Sequence, residues 1–206
     1  MTNEIHRPLA VRKGMIYDIR TINSEEIPLE VLKMIDYELH KLFKEFPQLK
    51  DEICEIVFEN IGNDIARASV DRSMKIRLKL HVDVFGDKKI MDAIVNSSLI
   101  SLTPKDGLFG FLKHEFIHML EYRYCKLQSD DTAIMWNHIC SGYYANEILC
   151  DSLKLCNLEK NDGIIELKIS YYATISASEA IAEACSSNCD NDLIKTIKRL
   201  VKERWN

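Results

Sequence analysis

At positions 112–118 the chain reads Leu112-Lys113-His114-Glu115-Phe116-Ile117-His118, a His-Glu-x-x-His pattern inside a segment with helical periodicity. Residues four apart lie on one face of a helix, so both imidazoles are able to reach the same metal ion. Glu115 follows the first histidine and lies beside that ion, where a carboxylate serves as a general base. The pattern therefore predicts a zinc peptidase with His114 and His118 as metal ligands and Glu115 as the base.

The residues around this motif form a broad apolar stripe, as in a helix buried in the middle of a domain. The stripe consists of Leu108, Phe109, Leu112, Phe116, Met119 and Leu120. A central helix presents metal ligands rigidly. The structural alternative is a buried helix with two hydrogen-bonded histidines, but two imidazoles at ligand spacing around a glutamate favour a metal site.

Length and composition favour one globular domain. With 206 residues and 47% hydrophobic content, the chain is long enough to bury a full core. We expect a single domain over residues 1–206, with a helix and sheet up to about residue 126 and a helical lobe from about residue 127. The net charge of −5 disfavours a nucleic-acid or anionic-membrane surface, so we expect neither partner.

Targeting signals and disulfide patterns are not evident. The N-terminal residues are polar, and no apolar stretch reaches the length of a signal peptide or a membrane span. Seven cysteines without a Cys-x-x-Cys pair, several at apolar helix positions, favour reduced packing residues over a disulfide framework. These features predict a cytoplasmic protein. They also suggest a phage or another mobile element as its source.

The order of predicted elements indicates an α+β fold. Periodicity predicts a packing helix at 28–46 and then strands at 53–58, 64–70 and 75–85, a short helix at Lys88–Val95 and a strand at 99–102. Turn signals between the first three strands favour an antiparallel meander. The remaining helices are predicted at 107–125, 132–155, 178–185 and 192–202. We therefore expect a small, mostly antiparallel sheet over the central motif helix, with a helical C-terminal lobe.

A third metal ligand is required, because catalytic zinc usually takes three protein ligands. The sequence offers His138, Glu147 and Glu179. Glu179 and Glu183 lie four apart among alanines and serines, a composition that lets a helix approach a metal site closely. Among these candidates, this composition points to Glu179 as the ligand and to Glu183 as the acceptor for the outer nitrogen of a ligand imidazole. On the residues alone, a solvated glutamate face is an equally supported alternative. His138 and His81 are interpreted as structural histidines.

The late part of the chain resembles a known peptidase family. Ser170-Tyr171-Tyr172-Ala173, followed by Glu179-Ala180-Ile181-Ala182-Glu183-Ala184, resembles the Tyr…Glu-x-x-Ala-Glu-Ala signature of the anthrax lethal factor-like zinc peptidases. It lies downstream of the His-Glu-x-x-His helix, in that family's order. The resemblance implies a zincin-like fold, a Zn²⁺ cofactor, Glu179 as third ligand and the hydroxyl of Tyr172 over the metal, with Tyr171 as a rival. The resemblance covers the motif helix and about residues 170–184. It implies no toxic role, because the same catalytic fold serves different functions.

These features together predict a zinc-dependent metallopeptidase, expected to be an endopeptidase, whose partner is a peptide or protein substrate. An extended peptide would add to an exposed strand, for which 75–82 and 99–102 are the candidates. One alternative is a catalytically silent zinc-binding interaction protein. Another is a metal-dependent hydrolase of a non-peptide amide.

Overall fold

The computed structural model describes residues 15–95 and 107–205, in which a five-stranded sheet is followed by a helical region. The strands are β1 (Met15–Ile16), β2 (Ile19–Ile22), β3 (Ile53–Glu59), β4 (Ala66–Val70) and β5 (Ile76–His81). The helices are α1 (Leu29–Glu45), α2 (Val82–Phe85), α3 (Lys88–Val95), α4 (Gly107–Gln128), α5 (Thr132–Ser141), α6 (Tyr143–Leu155), α7 (Asp162–Lys168), α8 (Ala177–Ser186) and α9 (Asp192–Arg204). Short 3₁₀ helices lie at Pro47–Leu49 and Tyr172–Thr174. The predicted α+β class is confirmed.

The sheet has the strand order β1-β2-β3-β5-β4. β1 pairs antiparallel with β2 and β4 with β5, whereas β3 is parallel to both β2 and β5. The predicted meander and mostly antiparallel sheet are therefore wrong, because β5 lies between β3 and β4. Burial explains this order: Ile76, Leu78 and Leu80 give β5 the fully buried face of a central strand, while β4 carries the small and polar side chains suited to an edge.

Several predicted elements have different limits in the structure. The strand predicted at 75–85 ends at His81, because the Nδ1 of His81 accepts a hydrogen bond from the backbone N–H of Asp83 and caps α2. The single helix predicted at 132–155 is two helices, separated by Gly142 in a left-handed conformation with φ of 59°. β1 and β2 were not predicted, and the strand predicted at 99–102 lies outside the described residues.

Helix α4 lies at the centre of the packing, where it contacts α1, α5, α6, α8 and the strands β4 and β5. Its side chains at Leu112, Phe116, Met119 and Leu120 are fully buried. Because the buried residues of the sheet and of the helical region form one cluster, the motif helix is packed from both sides. Within residues 15–95 and 107–205, no helix combines the length and the apolar character that crossing a membrane requires.

Candidate metal centre

The two histidines of α4 are one helical turn apart and both point into a cleft. Their side chains are largely buried, with relative exposures of 7% for His114 and 9% for His118. The imidazole rings meet edge to face, and the two Nε2 atoms are 3.2 Å apart. Two neutral imidazole nitrogens at this separation are well placed to bind one metal ion.

Helix α8 brings a carboxylate to the same point. Its first turn is fixed by Ser176, whose Oγ accepts a hydrogen bond from the backbone N–H of Glu179. Three fully buried alanines allow α8 to pack closely on α4; they are Ala180, Ala182 and Ala184. As a result, Oε2 of Glu179 lies 3.0 Å from Nε2 of His114 and 3.5 Å from Nε2 of His118. The sequence-based choice of Glu179 is therefore consistent with its position.

These three ligand atoms have the separations that a zinc ion requires. Tetrahedral zinc with bonds of about 2.0–2.1 Å to nitrogen and oxygen places neighbouring ligand atoms about 3.3 Å apart. The three sides of the observed triangle are 3.0, 3.2 and 3.5 Å. Among the described residues, His114, His118 and Glu179 form a group able to hold a metal ion, and two imidazoles with one carboxylate are a common donor set of catalytic zinc.

Glu183 contacts His114 on the side of the imidazole ring that faces away from the candidate metal position. Its side chain is fully buried one turn after Glu179, and its Oε1 lies 3.0 Å from Nδ1 of His114. The other carboxylate oxygen accepts a hydrogen bond from Oγ of Ser170 at 3.0 Å. A carboxylate beside Nδ1 favours the tautomer with the proton on that nitrogen, which leaves the lone pair of Nε2 directed at the metal position.

The charge of Glu179 is stabilised by its neighbours. Burial by itself would raise the pKa of this carboxyl, but hydrogen bonds with His114 and His118 outweigh that effect and hold its pKa well below the usual range. Glu179 is therefore ionised at neutral pH, as a metal ligand must be.

Glu115 lies beside the triangle and lines the same cleft. Its Oε2 accepts a hydrogen bond of 2.5 Å from the backbone N–H of Ala68 on β4. Burial raises the pKa of this carboxyl, opposed by the nearby imidazoles of His114 and His118. A carboxylate with a raised pKa, fixed by a backbone donor, is suited to taking up and releasing a proton.

The two candidate tyrosines have different surroundings. The ring of Tyr172 lies 6.2 Å from the ring of His114 and lines the cleft, whereas Tyr171 is 65% exposed and does not line it. Burial, together with nearby carboxylates, raises the pKa of Tyr172 to about 12, so its hydroxyl remains a hydrogen-bond donor at neutral pH. The geometry thus favours Tyr172 over Tyr171.

The alternative ligands lie elsewhere. The ring of His138 stacks on that of Tyr143 at 4.7 Å and meets Tyr144 edge to face, which agrees with a structural histidine. Glu147 is exposed on α6. Neither residue belongs to the group formed by the two motif histidines and Glu179.

The cleft has a volume of about 540 Å³ and contains features that the sequence did not predict. One wall is the edge strand β4, with the preceding residues from Asn63 onward, and another is the corner between α5 and α6 around Gly142. Of the two segments predicted as candidate edges, 75–82 contains β5, which is covered by β4, so that candidate is wrong. The other candidate, 99–102, lies outside the described residues. Tyr122 also lines the cleft, and its position four residues after His118 is the signal that identifies it.

Comparison with protein family models, with curated protein sequences and with solved structures finds no match to this chain.

Proposed function

We propose that this protein is a zinc-dependent metallopeptidase of zincin-like fold. The observation that carries the proposal is the triangle of His114, His118 and Glu179, with Glu115 beside it in an open cleft. The position of Tyr172 near His114 agrees with what the resemblance to the anthrax lethal factor-like peptidases implies, a tyrosine hydroxyl over the metal. A purely structural metal site needs neither a carboxylate base nor an open cleft.

The residues of the cleft supply the acid, base and donor of amide hydrolysis. A zinc ion held by the triangle would polarise a water molecule and the carbonyl group of the substrate. Glu115 takes the proton of the attacking water and delivers it to the leaving amine. The hydroxyl of Tyr172 donates a hydrogen bond to the carbonyl oxygen as negative charge develops there. Glu183 keeps His114 in the tautomer that exposes Nε2.

The edge strand β4 is the proposed binding surface for an extended peptide. The N–H of Ala68 points away from β5, because it donates to Glu115. Alternate residues of a strand share the same direction, so the backbone groups of Ala66 also face outward from the sheet. A peptide backbone is able to pair with this edge and pass over Glu115, which supports cleavage within a chain.

Paired variants test the assignment of base and ligand. We expect Glu115→Gln to keep stoichiometric zinc and to lower peptide hydrolysis by about 10²- to 10⁴-fold, because only the proton acceptor is lost. Glu179→Ala should lose zinc, because it removes one of three ligands. The matched control is Glu147→Gln at an exposed position, which should change neither property. Zinc is measured by elemental analysis and hydrolysis with a quenched fluorogenic peptide library.

Full activity of Glu115→Gln would show that Glu115 is not the general base. Stoichiometric zinc in Glu179→Ala would show that Glu179 is not a metal ligand. Zinc binding by the wild type without cleavage of any peptide would favour a silent metal-binding protein, and cleavage only of small non-peptide amides would favour the other hydrolase class.

A further inference from the structure

A second tyrosine lines the cleft on the motif helix itself. Glu115, His118 and Tyr122 are spaced by three and then four residues, so they form one stripe along α4. All three line the 540 Å³ cleft together with the corner between α5 and α6. Tyr122 therefore extends the row of motif side chains by one turn beyond the second histidine.

The hydroxyl of Tyr122 has an unused hydrogen-bonding capacity. The ring is half-buried and packs against the core. Within the described part of the chain, this hydroxyl makes no hydrogen bond to another protein group, and it is not one of the buried polar atoms that lack a partner, so it is accessible from the cleft. Because the residue lines the cleft, a ligand in the cleft is the partner that it is placed to meet.

The hydroxyl remains a donor at all working pH values. Burial raises the pKa of Tyr122 well above its ordinary value, and the carboxylates of Glu121 and Glu115 raise it further. Two other residues that line the cleft, Glu115 and Glu179, are hydrogen-bond acceptors when ionised, so they do not supply donors to a substrate. A peptide brings carbonyl oxygens, which need donors, and Tyr122 supplies one.

The two ends of the motif differ in chemistry. Phe111, three residues before His114, lines the cleft at one end of the ligand pair. Tyr122, four residues after His118, lines it at the other end. The first end is apolar and the second presents a donor, so a bound peptide meets two different subsites along α4.

On the basis of the proposed peptidase function, we propose that Tyr122 is a substrate-binding residue. Its hydroxyl donates a hydrogen bond to a main-chain carbonyl of the peptide on the side of the metal centre away from Phe111. This role is distinct from that of Tyr172, which lies next to His114 and acts on the carbonyl that is attacked. Tyr122 contributes to holding the substrate and takes no part in proton transfer.

The test uses zinc-loaded full-length protein and a peptide that the wild type cleaves, selected from a quenched fluorogenic library. Tyr122→Phe keeps the ring and removes the hydroxyl. We expect KM to rise about 3- to 10-fold with little change in kcat, as for the loss of one neutral hydrogen bond. The same peptide should bind about 3- to 10-fold more weakly to the Glu115→Gln, Tyr122→Phe double variant than to Glu115→Gln alone. Tyr171→Phe, at an exposed position, is the matched control.

The outcomes distinguish a failure of the role proposed for Tyr122 from a failure of the proposed peptidase function. Unchanged KM and unchanged peptide affinity in Tyr122→Phe would overturn the role of Tyr122 and leave the peptidase assignment intact. A parallel loss of zinc content and unfolding temperature would also overturn it, because the residue would then be structural. If the wild type cleaves no peptide of the library, the proposed function fails, and the inference fails with it.

Discussion

Replacing Glu183 tests whether the buried carboxylate behind His114 tunes the metal centre. Glu183→Gln keeps the size of the side chain and leaves an oxygen to face Nδ1 of His114, 3.0 Å away in the wild type. It removes the negative charge that makes this contact a charge-assisted one. Loss of such a partner of a metal-bound imidazole typically weakens metal binding by about 10- to 100-fold, or about 1.4 to 2.8 kcal/mol. We expect zinc affinity to fall by this amount.

The measurement is a competition titration against a chromophoric zinc chelator at constant pH. Glu166→Gln on α7 is a matched control, because Glu166 is an exposed glutamate that does not line the cleft. The unfolding temperature of the metal-free proteins reports any general loss of structure. A zinc affinity of Glu183→Gln within twofold of the wild type would refute the reasoning that this carboxylate orients and polarises His114.

Three further predictions concern stability. Gly142→Ala should lower the free energy of unfolding by about 1–3 kcal/mol, because φ is 59° and the added Cβ would lie 2.7 Å from Oγ of Ser178. Chemical denaturation measures this loss. If adding Ser178→Ala does not restore part of the lost stability, the steric explanation is wrong. Burial raises the pKa of Glu121 from 4.5 to about 7, so the folded state holds a proton that the unfolded state has released. The stability of the metal-free protein should therefore fall by about 3 kcal/mol between pH 4.5 and 7 relative to Glu121→Gln and level off above pH 7, and parallel pH profiles of the two proteins would contradict this. Ile181→Ala should cost about 2–5 kcal/mol, since its side chain is fully buried where α8 meets the core, and a thermal unfolding midpoint equal to that of the wild type would exclude such packing.

The grouping of the candidate metal ligands was largely predictable, because it follows from the local spacing of the residues. The interval between His114 and His118 and that between Glu179 and Glu183 each place two side chains on one helix face, and the structure brings the two faces together. The N-cap at Ser176 and the alanines of α8 are local signals of the same kind. What spacing alone left open was the choice between Tyr171 and Tyr172, which depends on how a 3₁₀ turn orients two adjacent rings.

The sheet was less predictable because strand pairing is a property of the whole fold. The turn signals after β3 and after β4 mark where the chain changes direction, but they do not determine which strands become neighbours. Burial determines which strand lies inside the sheet. Strand β5 takes the position between β3 and β4 because three apolar side chains on one of its faces are fully buried. The same strand order makes β4 an edge, so the wrong topology also led to 75–82 as one of the two candidate strands for substrate binding. The break at Gly142, by contrast, has a local signal, because a glycine in the left-handed conformation commonly ends a helix.

The separation between the ligands has a consequence for the order of events during synthesis. His114 and Glu179 are 65 residues apart, so the ribosome adds the last ligand well after the first pair. At about 5–20 residues per second, this interval lasts about 3 to 13 s. A nascent chain therefore carries a two-histidine helix without its acidic partner throughout that time. The complete group of three candidate metal ligands therefore forms late in translation, after the strands and the motif helix have been synthesised.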